Sequence, residues 1–115
     1  MPEALTLNIA RDFTKFPSGR DEKDGPYNGT KFRRSLLLPR LEQARSSGVD
    51  LVVELDGVLS FGSSFLEESF GGLIRREGVS RSELDRILRI EPGWEGNTRY
   101  KEAILRYIRD ARAGD

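Results

Sequence analysis

The stretch that decides the fold runs from Val49 to Leu73 and reads VDLVVELDGVLSFGSSFLEESFGGL. Its first part, Val49 to Leu55, is an almost continuous apolar run, which is typical of a β-strand buried on both faces of a sheet. Its second part has the Ser64-x-x-Glu67 spacing of a helix capping box, followed by apolar residues at helical intervals. The stretch therefore predicts a central strand, a tight loop and a helix that begins near Ser64.

The flanking sequence continues this alternation of strands and helices. The predicted elements are a strand over 4–9, a helix from Thr30, the strand 49–55, a helix over 64–77, a strand over 87–90 and a helix over 98–112. Pro39 is expected to break or kink the helix from Thr30, and a helix is an open alternative for residues 87–90. Asn97 or Thr98 is expected to cap the last helix. The alternation predicts a single α/β domain over residues 1–115, with a mixed, mainly parallel sheet packed with helices.

Composition excludes several classes of function. The 115 residues include 19 basic and 19 acidic side chains, so the chain lacks the net positive charge of most nucleic-acid-binding domains. It contains no Cys and no His, which removes thiol nucleophiles, imidazole bases and the usual zinc ligands, and we expect no metal and no cofactor. No apolar run is long enough for a signal peptide or a membrane span. We therefore expect a cytoplasmic protein that binds neither nucleic acid nor membranes.

The loop and helix after the central strand contain the main functional candidates. In open parallel sheets, ligands bind beyond the carboxyl ends of the strands, and a helix N-terminus there offers free N–H groups. The structural alternative is that Ser64 and Glu67 only cap the helix and that Glu68 only complements the helix dipole. Ser63 is not needed for capping, which makes it the strongest candidate. The candidate residues are Asp56, Gly57, Gly62, Ser63, Ser64, Glu67 and Glu68.

Three further features allow both a structural and a functional interpretation. Two adjacent glycines in the predicted helix, Gly71 and Gly72, favour close packing of that helix on the sheet over the alternative of a partner that docks on the bare backbone. Arg20 and Arg33, in or beside a glycine-rich loop, are candidates for anion binding, although acidic neighbours also fit an ordinary solvated loop. Trp94 is either packed on the core or an interface anchor, and packing is the more common role for a lone Trp in a small domain.

Several of these blocks, in this order, resemble the STAS-like domain of unknown function, a small bacterial family related to sulphate-transporter and anti-sigma-factor-antagonist domains. The matching blocks, spread over roughly residues 4–110, are Gly19-Arg20, residues 25–29, Lys31-Phe32-Arg33, the strand with Asp56-Gly57, residues 63–68 and Phe70-Gly71-Gly72-Leu73. The resemblance implies a STAS-like fold. Through the antagonists it also implies a phosphorylatable serine at Ser63, although Gly62 stands where they have Asp and Phe65 where they have Gly.

The resemblance favours a non-catalytic regulatory or signalling module that binds a protein partner through the loop and helix starting at Ser63. A histidine-kinase-like ATPase is the candidate partner. One alternative is a sensor of a small anion or nucleotide at the helix N-terminus. The least favoured alternative is an enzyme with Ser63 as nucleophile and Asp56, Glu67 or Glu68 as base, because a serine without histidine needs another activating group. The sequence does not determine the oligomeric state.

Overall fold

A computed structural model describes residues 4–114 as a three-stranded parallel sheet with the strand order β1-β2-β3, joined and covered by helices. The elements are β1 Leu5–Asn8, α1 Ile9–Asp12, α2 over 29–47, β2 Leu51–Glu54, α3 over 63–75, α4 Arg81–Ile87, β3 Leu88–Glu91 and α5 Thr98–Asp110, with 3-10 turns at Glu22–Asp24 and Glu95–Asn97. The predicted α/β architecture is therefore confirmed. The predicted domain limits of 1–115 include residues 1–3 and 115, which lie outside the described part. No helix within residues 4–114 is both long enough and apolar enough to cross a membrane.

The predicted central strand is confirmed. β2 pairs with β1 on one side and with β3 on the other, in a register that aligns Val53 with Leu7 and Ile90. Val53 is fully buried, whereas Val52 and Glu54 on the other face are half-buried. The apolar run thus predicted the position of the strand correctly, although helices cover one of its faces only in part.

The candidate strand near residues 87–90 and its helical alternative both occur, one directly after the other. Helix α4 ends at Ile87 and strand β3 begins at Leu88, with no loop between them. The N–H of Leu88 still donates to the carbonyl of Leu84, so the last hydrogen bond of the helix falls on the first residue of the strand. This direct transition explains why the same apolar residues fit both patterns.

Of the break or kink predicted just before Pro39, the break is wrong, because α2 continues past the proline. Helix α2 consists of Gly29–Phe32, a π-helical turn over Arg33–Leu37, and Leu38–Ser47. In the π-helical turn the N–H of Leu38 donates to a carbonyl five residues back, which widens the helix just before the proline. A wider turn is one way in which a helix adjusts to the missing donor and the bulky ring of a proline.

Two predicted helix caps are also wrong in detail. Helix α2 begins after Asn28, whose side chain accepts a backbone N–H of the first turn, whereas the Thr30 hydroxyl donates to the carbonyl of Arg20 at 2.8 Å. Helix α5 begins after Asn97, but this side chain donates to the carbonyl of Pro92 at 3.0 Å and does not cap the helix. Competing hydrogen bonds from neighbouring loops therefore decide which polar side chain caps each helix.

The core between α2 and α3 is mainly aromatic. Helix α3 consists of Ser63–Leu66, a π-helical turn over Glu67–Gly71, and Gly72–Arg75. The ring centroid of Phe32 in α2 lies 5.5 Å from that of Phe65 and 6.4 Å from that of Phe70, and all three rings are fully buried. Aromatic rings at these distances attract one another beyond their contribution to apolar burial. This contact fixes α3, and with it the serines at its start.

Candidate functional site

The carboxyl ends of the three strands form one edge of the sheet. Asn8, Glu54 and Glu91 are the last residues of their strands and are aligned in register, and the side-chain amide of Asn8 donates to the Glu54 carboxylate at 3.2 Å. Beyond β2 the chain turns at Gly57 with a φ of +95°, a conformation that favours glycine. Asp56 is exposed in the same turn. Asp56 and Gly57 therefore lie where the sequence predicted them, after the end of the central strand.

Three large apolar side chains are exposed on the loops at this edge, namely Phe16, Leu59 and Trp94, which we call the edge surface. The N–H of Leu59 donates to the carbonyl of Lys15 at 3.0 Å, so the segments that carry Phe16 and Leu59 are held together. Side chains of this size are normally withdrawn from water. Their exposure on neighbouring loops is the main apolar feature of this edge.

The predicted packing of Trp94 on the core is wrong, because its surface is 61% exposed. The indole ring lies against Gly96, where a methyl group would overlap it. A methyl group on Gly93 would lie 2.6 Å from Cβ of Asp56, so the loop that carries Trp94 packs closely on the turn after β2. Trp94 is thus held at the edge of the sheet, next to the loop that leads to Ser63.

Ser63 and Ser64 are the first two residues of α3, and both are exposed. Gly62 occupies the N-cap position in an extended conformation, so no side chain caps the helix, and the predicted capping box of Ser64 and Glu67 is wrong. Its acidic member is engaged elsewhere, since the Glu67 carboxylate accepts hydrogen bonds from Arg20 at 2.6 Å and Arg75 at 2.7 Å. Both serine hydroxyls are consequently free of the structural role that the spacing suggested.

Phe65, which stands where the antagonists have Gly, points away from this surface. It is fully buried and packs on Phe32, and its ring centroid is 6.2 Å from that of Phe13. The bulky residue therefore belongs to the core and does not cover the exposed hydroxyl of Ser63.

A second cluster lies where α2 crosses α3, and it contains a buried ion pair. Arg33 is fully buried in the π-helical turn of α2, and Glu68, in the π-helical turn of α3, is 4% exposed. The Arg33 guanidinium donates from Nη1 to Oε2 of Glu68 at 2.9 Å and from Nε to Glu77 at 2.8 Å. Nη1 also donates to the backbone carbonyl of Glu68 at 2.6 Å. Arg33 thus links three turns of the chain and does not belong to a solvated loop.

Arginines surround both carboxylates of α3. Glu68 also accepts a hydrogen bond from Arg76 at 3.0 Å, and Arg20 lies 3.3 Å from its other oxygen. Burial is the largest single influence on the pKa of Glu68 and raises it, but the hydrogen bonds and charges of its arginines together lower that pKa below its ordinary value. The same balance lowers the pKa of Glu67, where Arg75 and Arg20 are the donors. Both carboxylates are therefore ionised at neutral pH.

The glycine pair supports this crossing and does not contact the sheet as predicted. A methyl group on Gly72 would overlap the Arg33 guanidinium and lie 3.0 Å from its central carbon, and one on Gly71 would lie 2.6 Å from the Glu67 carboxylate. Gly29 in α2 has the same role, because a methyl group there would lie 2.9 Å from the carbonyl of Phe65. Small residues on both helices thus make room for buried charged side chains.

The structure divides the predicted site residues between two places. Asp56, Gly57, Gly62, Ser63 and Ser64 lie at the carboxyl edge of the sheet, whereas Glu67, Glu68, Arg20 and Arg33 meet at the crossing of α2 and α3. Sequence reasoning missed the pairing of Glu67 and Glu68 with Arg75 and Arg76. The sequence does contain a signal for this pairing. Each glutamate is followed by an arginine eight residues later, a little over two helical turns, which places the acidic and basic pairs on one side of α3.

The fold is that of a small parallel α/β domain, consistent with the STAS-like type. A family model described as a STAS-like domain of unknown function matches residues 28–91, more than half of the chain, and the chain belongs to that family. The match includes α2, α3 and the loop to Ser63, whereas Arg20, Phe16 and Trp94 lie outside it. The resemblance in the sequence is therefore confirmed over a narrower range than the roughly 4–110 expected. No curated protein and no solved structure matched the chain.

Proposed function

We propose that this domain is a non-catalytic regulatory module that binds a protein partner through the edge surface and the start of α3, with a histidine-kinase-like ATPase as the candidate partner. The observation that supports the proposal is the exposure of Phe16, Leu59 and Trp94 on loops beside the exposed Ser63. Large apolar and aromatic side chains, above all Trp, supply much of the binding energy in protein interfaces.

The geometry around Ser63 favours binding over catalysis. Within residues 4–114 no carboxylate accepts a hydrogen bond from its hydroxyl, so no general base is in position. The candidate bases Glu67 and Glu68 are held by arginines, and the pKa of each is lowered, which makes them weak bases at neutral pH. Both carboxylates instead fix the helix that presents the serine.

A phosphate on Ser63 would change the charge of this surface without unfolding α3. The free N–H groups and the positive end of the helix dipole favour an anion at the first position of a helix. The edge already carries the carboxylates of Glu54, Asp56 and Glu91. Added negative charge would therefore repel an acidic or apolar partner surface, and one local modification would control binding.

The proposal is tested by calorimetric titration of the purified domain against histidine-kinase-like ATPases of its native host. Leu59→Ser and Trp94→Ser should each weaken binding at least about tenfold, the range expected for anchor residues. Leu105→Ser, a half-exposed position on α5, is the matched control and should bind like the wild type. Absence of binding by any such ATPase, or equal affinity of all variants, would contradict the proposal.

The phosphate switch has its own test in the same titration. Ser63→Asp should weaken binding, whereas Ser63→Ala should preserve it, because only the former adds negative charge at the start of α3. Thermal melts of both variants control for folding. Equal affinities of Ser63→Asp and Ser63→Ala would reject the switch while leaving the binding surface in place.

A further inference from the structure

We propose that the crossing of α2 and α3 contains a binding site for a phosphate group, distinct from the edge surface. The first observation is an excess of positive charge. The arginines that meet there are Arg20, Arg33, Arg34, Arg75 and Arg76, and the carboxylates that face them are Glu67, Glu68 and Glu77. The nearby Asp21 adds a fourth carboxylate, which is already bonded to the backbone N–H of Lys23 at 3.0 Å. The set of five arginines and four carboxylates named here therefore carries one excess positive charge.

The second observation is an unsatisfied donor on the buried arginine. Arg33 uses Nε for Glu77 and Nη1 for Glu68, but its Nη2 is buried and has no hydrogen-bond partner. More than nine in ten buried polar groups in native proteins have a partner, and a charged donor is especially costly to leave without one. Arg33 therefore has the capacity for a further anionic or polar acceptor that this part of the chain does not supply.

The third observation is a cavity beside these groups. It has a volume of about 240 Å³, and its wall includes Arg20, Arg33, Arg34, Arg76 and Thr30, together with the carboxylates of Asp21 and Glu68. A water molecule occupies about 30 Å³ in the liquid, so a phosphate group with a few waters fits this volume. Glu68 does not exclude an anion, because its Oε2 already accepts hydrogen bonds from Arg33 and Arg76 and its Oε1 accepts one from Arg20.

The residues in this wall suit a phosphate group more than a simple halide. A guanidinium presents paired N–H donors in a plane that matches two oxygens of a phosphate. The side chains of Arg34 and Arg76 are 67% and 51% exposed, and Arg76 bonds Glu68 through Nε, which leaves its two Nη groups for an anion. The buried Arg33 fixes a positive charge behind them. The Thr30 hydroxyl at the rim donates its one proton to the carbonyl of Arg20, so the arginines are the donors that face the cavity.

Two sources of such a group fit the space. A neighbouring cavity of about 930 Å³ shares Asp21, Thr30 and Arg34 with the smaller one. Free inorganic phosphate would occupy only the small cavity, whereas a phosphomonoester such as a nucleoside monophosphate would place its organic part in the larger one. The common chemistry is the phosphate group, held by Arg34 and Arg76.

The test is thermal unfolding of the domain in inorganic phosphate, with sodium chloride at equal ionic strength as the reference. Phosphate at millimolar concentration should raise the Tm of the wild type by a few degrees, because a ligand that binds only the folded state stabilises it. Arg34→Gln and Arg76→Gln should each lose at least half of that rise, measured from their own Tm in chloride. Arg11→Gln, which removes an equally exposed arginine from α1, is the charge-matched control and should keep the full rise.

Adenosine monophosphate in a parallel titration distinguishes the two sources. If adenosine monophosphate raises the Tm more than inorganic phosphate does at the same concentration, the ligand is a phosphomonoester. If both raise the Tm equally, the ligand is free phosphate. The site is rejected if phosphate gives no rise beyond chloride, or if Arg34→Gln and Arg76→Gln keep the full rise. Neither variant touches the edge surface, so binding of a protein partner there should be unchanged in both.

Discussion

The crossing of α2 and α3 and the carboxyl edge of the sheet differ in the kind of side chain that each removes from water or leaves exposed to it. At the crossing, Arg33 and Glu68 are charged side chains removed from water, whereas at the edge Leu59 and Trp94 are large apolar side chains left in it. Burial of charge is costly unless each group finds partners, and exposure of apolar surface forgoes the stabilisation that burial would bring. The charged side chains of the crossing are thus mostly paired with one another, whereas the apolar side chains of the edge surface remain largely exposed to water.

The difference separates the part of the domain that fixes its shape from the part available to a partner. The closest backbone approaches at the crossing depend on small residues, since a side chain at Gly29 or Gly72 would meet the facing helix or its arginine. At the edge, by contrast, a methyl group on Gly62 would meet nothing within 4 Å. Substitutions at Gly29 or Gly72 should therefore cost stability, whereas a substitution at Gly62 should have little effect on it.

The largest effect is expected for Glu68→Ala. This change removes one of the two carboxylate partners of the fully buried Arg33, and removal of one member of a buried pair typically destabilises a protein by about 3–5 kcal/mol. The free energy of unfolding in urea measures the loss. Glu42→Ala, at an exposed carboxylate 3.9 Å from Arg45, is the control and should change stability by less than about 0.5 kcal/mol. Equal effects of the two changes would remove the distinction between the crossing and an ordinary surface ion pair.

Acid should reduce the stability that the ion pairs of the crossing contribute, whereas the apolar side chains of the edge surface do not titrate. The pKa values of Glu67 and Glu68 are lowered in the folded state, so the unfolded chain takes up protons first as the pH falls. Their contribution is fully present above the unfolded-chain pKa of about 4.3 and is lost as the pH falls from there through the lower folded pKa. Urea midpoints between pH 7 and pH 3 should fall more steeply for the wild type than for Glu67→Gln. Parallel curves for the two proteins would contradict this assignment.

The two adjacent glycines should respond differently to alanine. Gly72→Ala places a methyl group against the buried Arg33 guanidinium and should destabilise the domain by about 1–3 kcal/mol, because the packed neighbour has no room to move. Gly71→Ala meets only the end of the half-buried Glu67 side chain, and the better helix propensity of alanine, up to about 1 kcal/mol, offsets the displacement. The free energy of unfolding in urea should therefore be clearly lower for Gly72→Ala than for Gly71→Ala. The reverse order would show that the Arg33 contact does not control this position.

The sequence was sufficient for the strands and helices whose signals are local. The apolar run 49–55 predicted β2 as the central strand, and the predicted helices over 64–77 and 98–112 correspond to α3 and α5 with small changes at their ends. Helix ends were less predictable, because Ser64 and Thr30 fit the capping rules but Gly62 and Asn28 occupy those positions. Capping depends on which hydrogen bonds a side chain makes with distant loops, and those are set by the tertiary fold.

The contacts of Arg33 at the crossing could not be predicted because they join residues far apart in the chain. Arg33 is 35 residues from Glu68 and 44 from Glu77, and nothing local distinguishes these side chains from a solvated charged face. The exposure of Trp94 has the same origin, since composition favours packing of a lone Trp and only the fold places it on an outer loop. The positions of Asp56, Gly57, Ser63 and Ser64 were predictable because they follow directly from the end of β2.

A small gain in stability is available at the edge. Gly62→Asp places an N-cap carboxylate before α3, where Gly62 is already extended and has open space beside it, and it should stabilise the domain by about 0.5 kcal/mol. Ser64→Ala is the matched control and should have almost no effect, because Ser64 does not cap the helix. Thermal melts of both variants test the assignment of the cap. A clear loss with Ser64→Ala would restore the capping box that the spacing suggested.

The smallest effect on stability is expected at the edge surface itself. Leu59→Ser and Trp94→Ser remove side chains that are 67% and 61% exposed, so each should change the free energy of unfolding by no more than about 0.5 kcal/mol. Urea unfolding of the isolated domain measures this, and Leu73→Ser, at a fully buried position of α3, supplies the contrast with a loss of several kcal/mol. A substantial loss with either edge variant would mean that these side chains support the fold, and the weaker partner binding expected of them would then no longer report on an interface. Unchanged stability, in contrast, leaves contact with another molecule as the role for which Leu59 and Trp94 are free, because the isolated domain gains nothing from them.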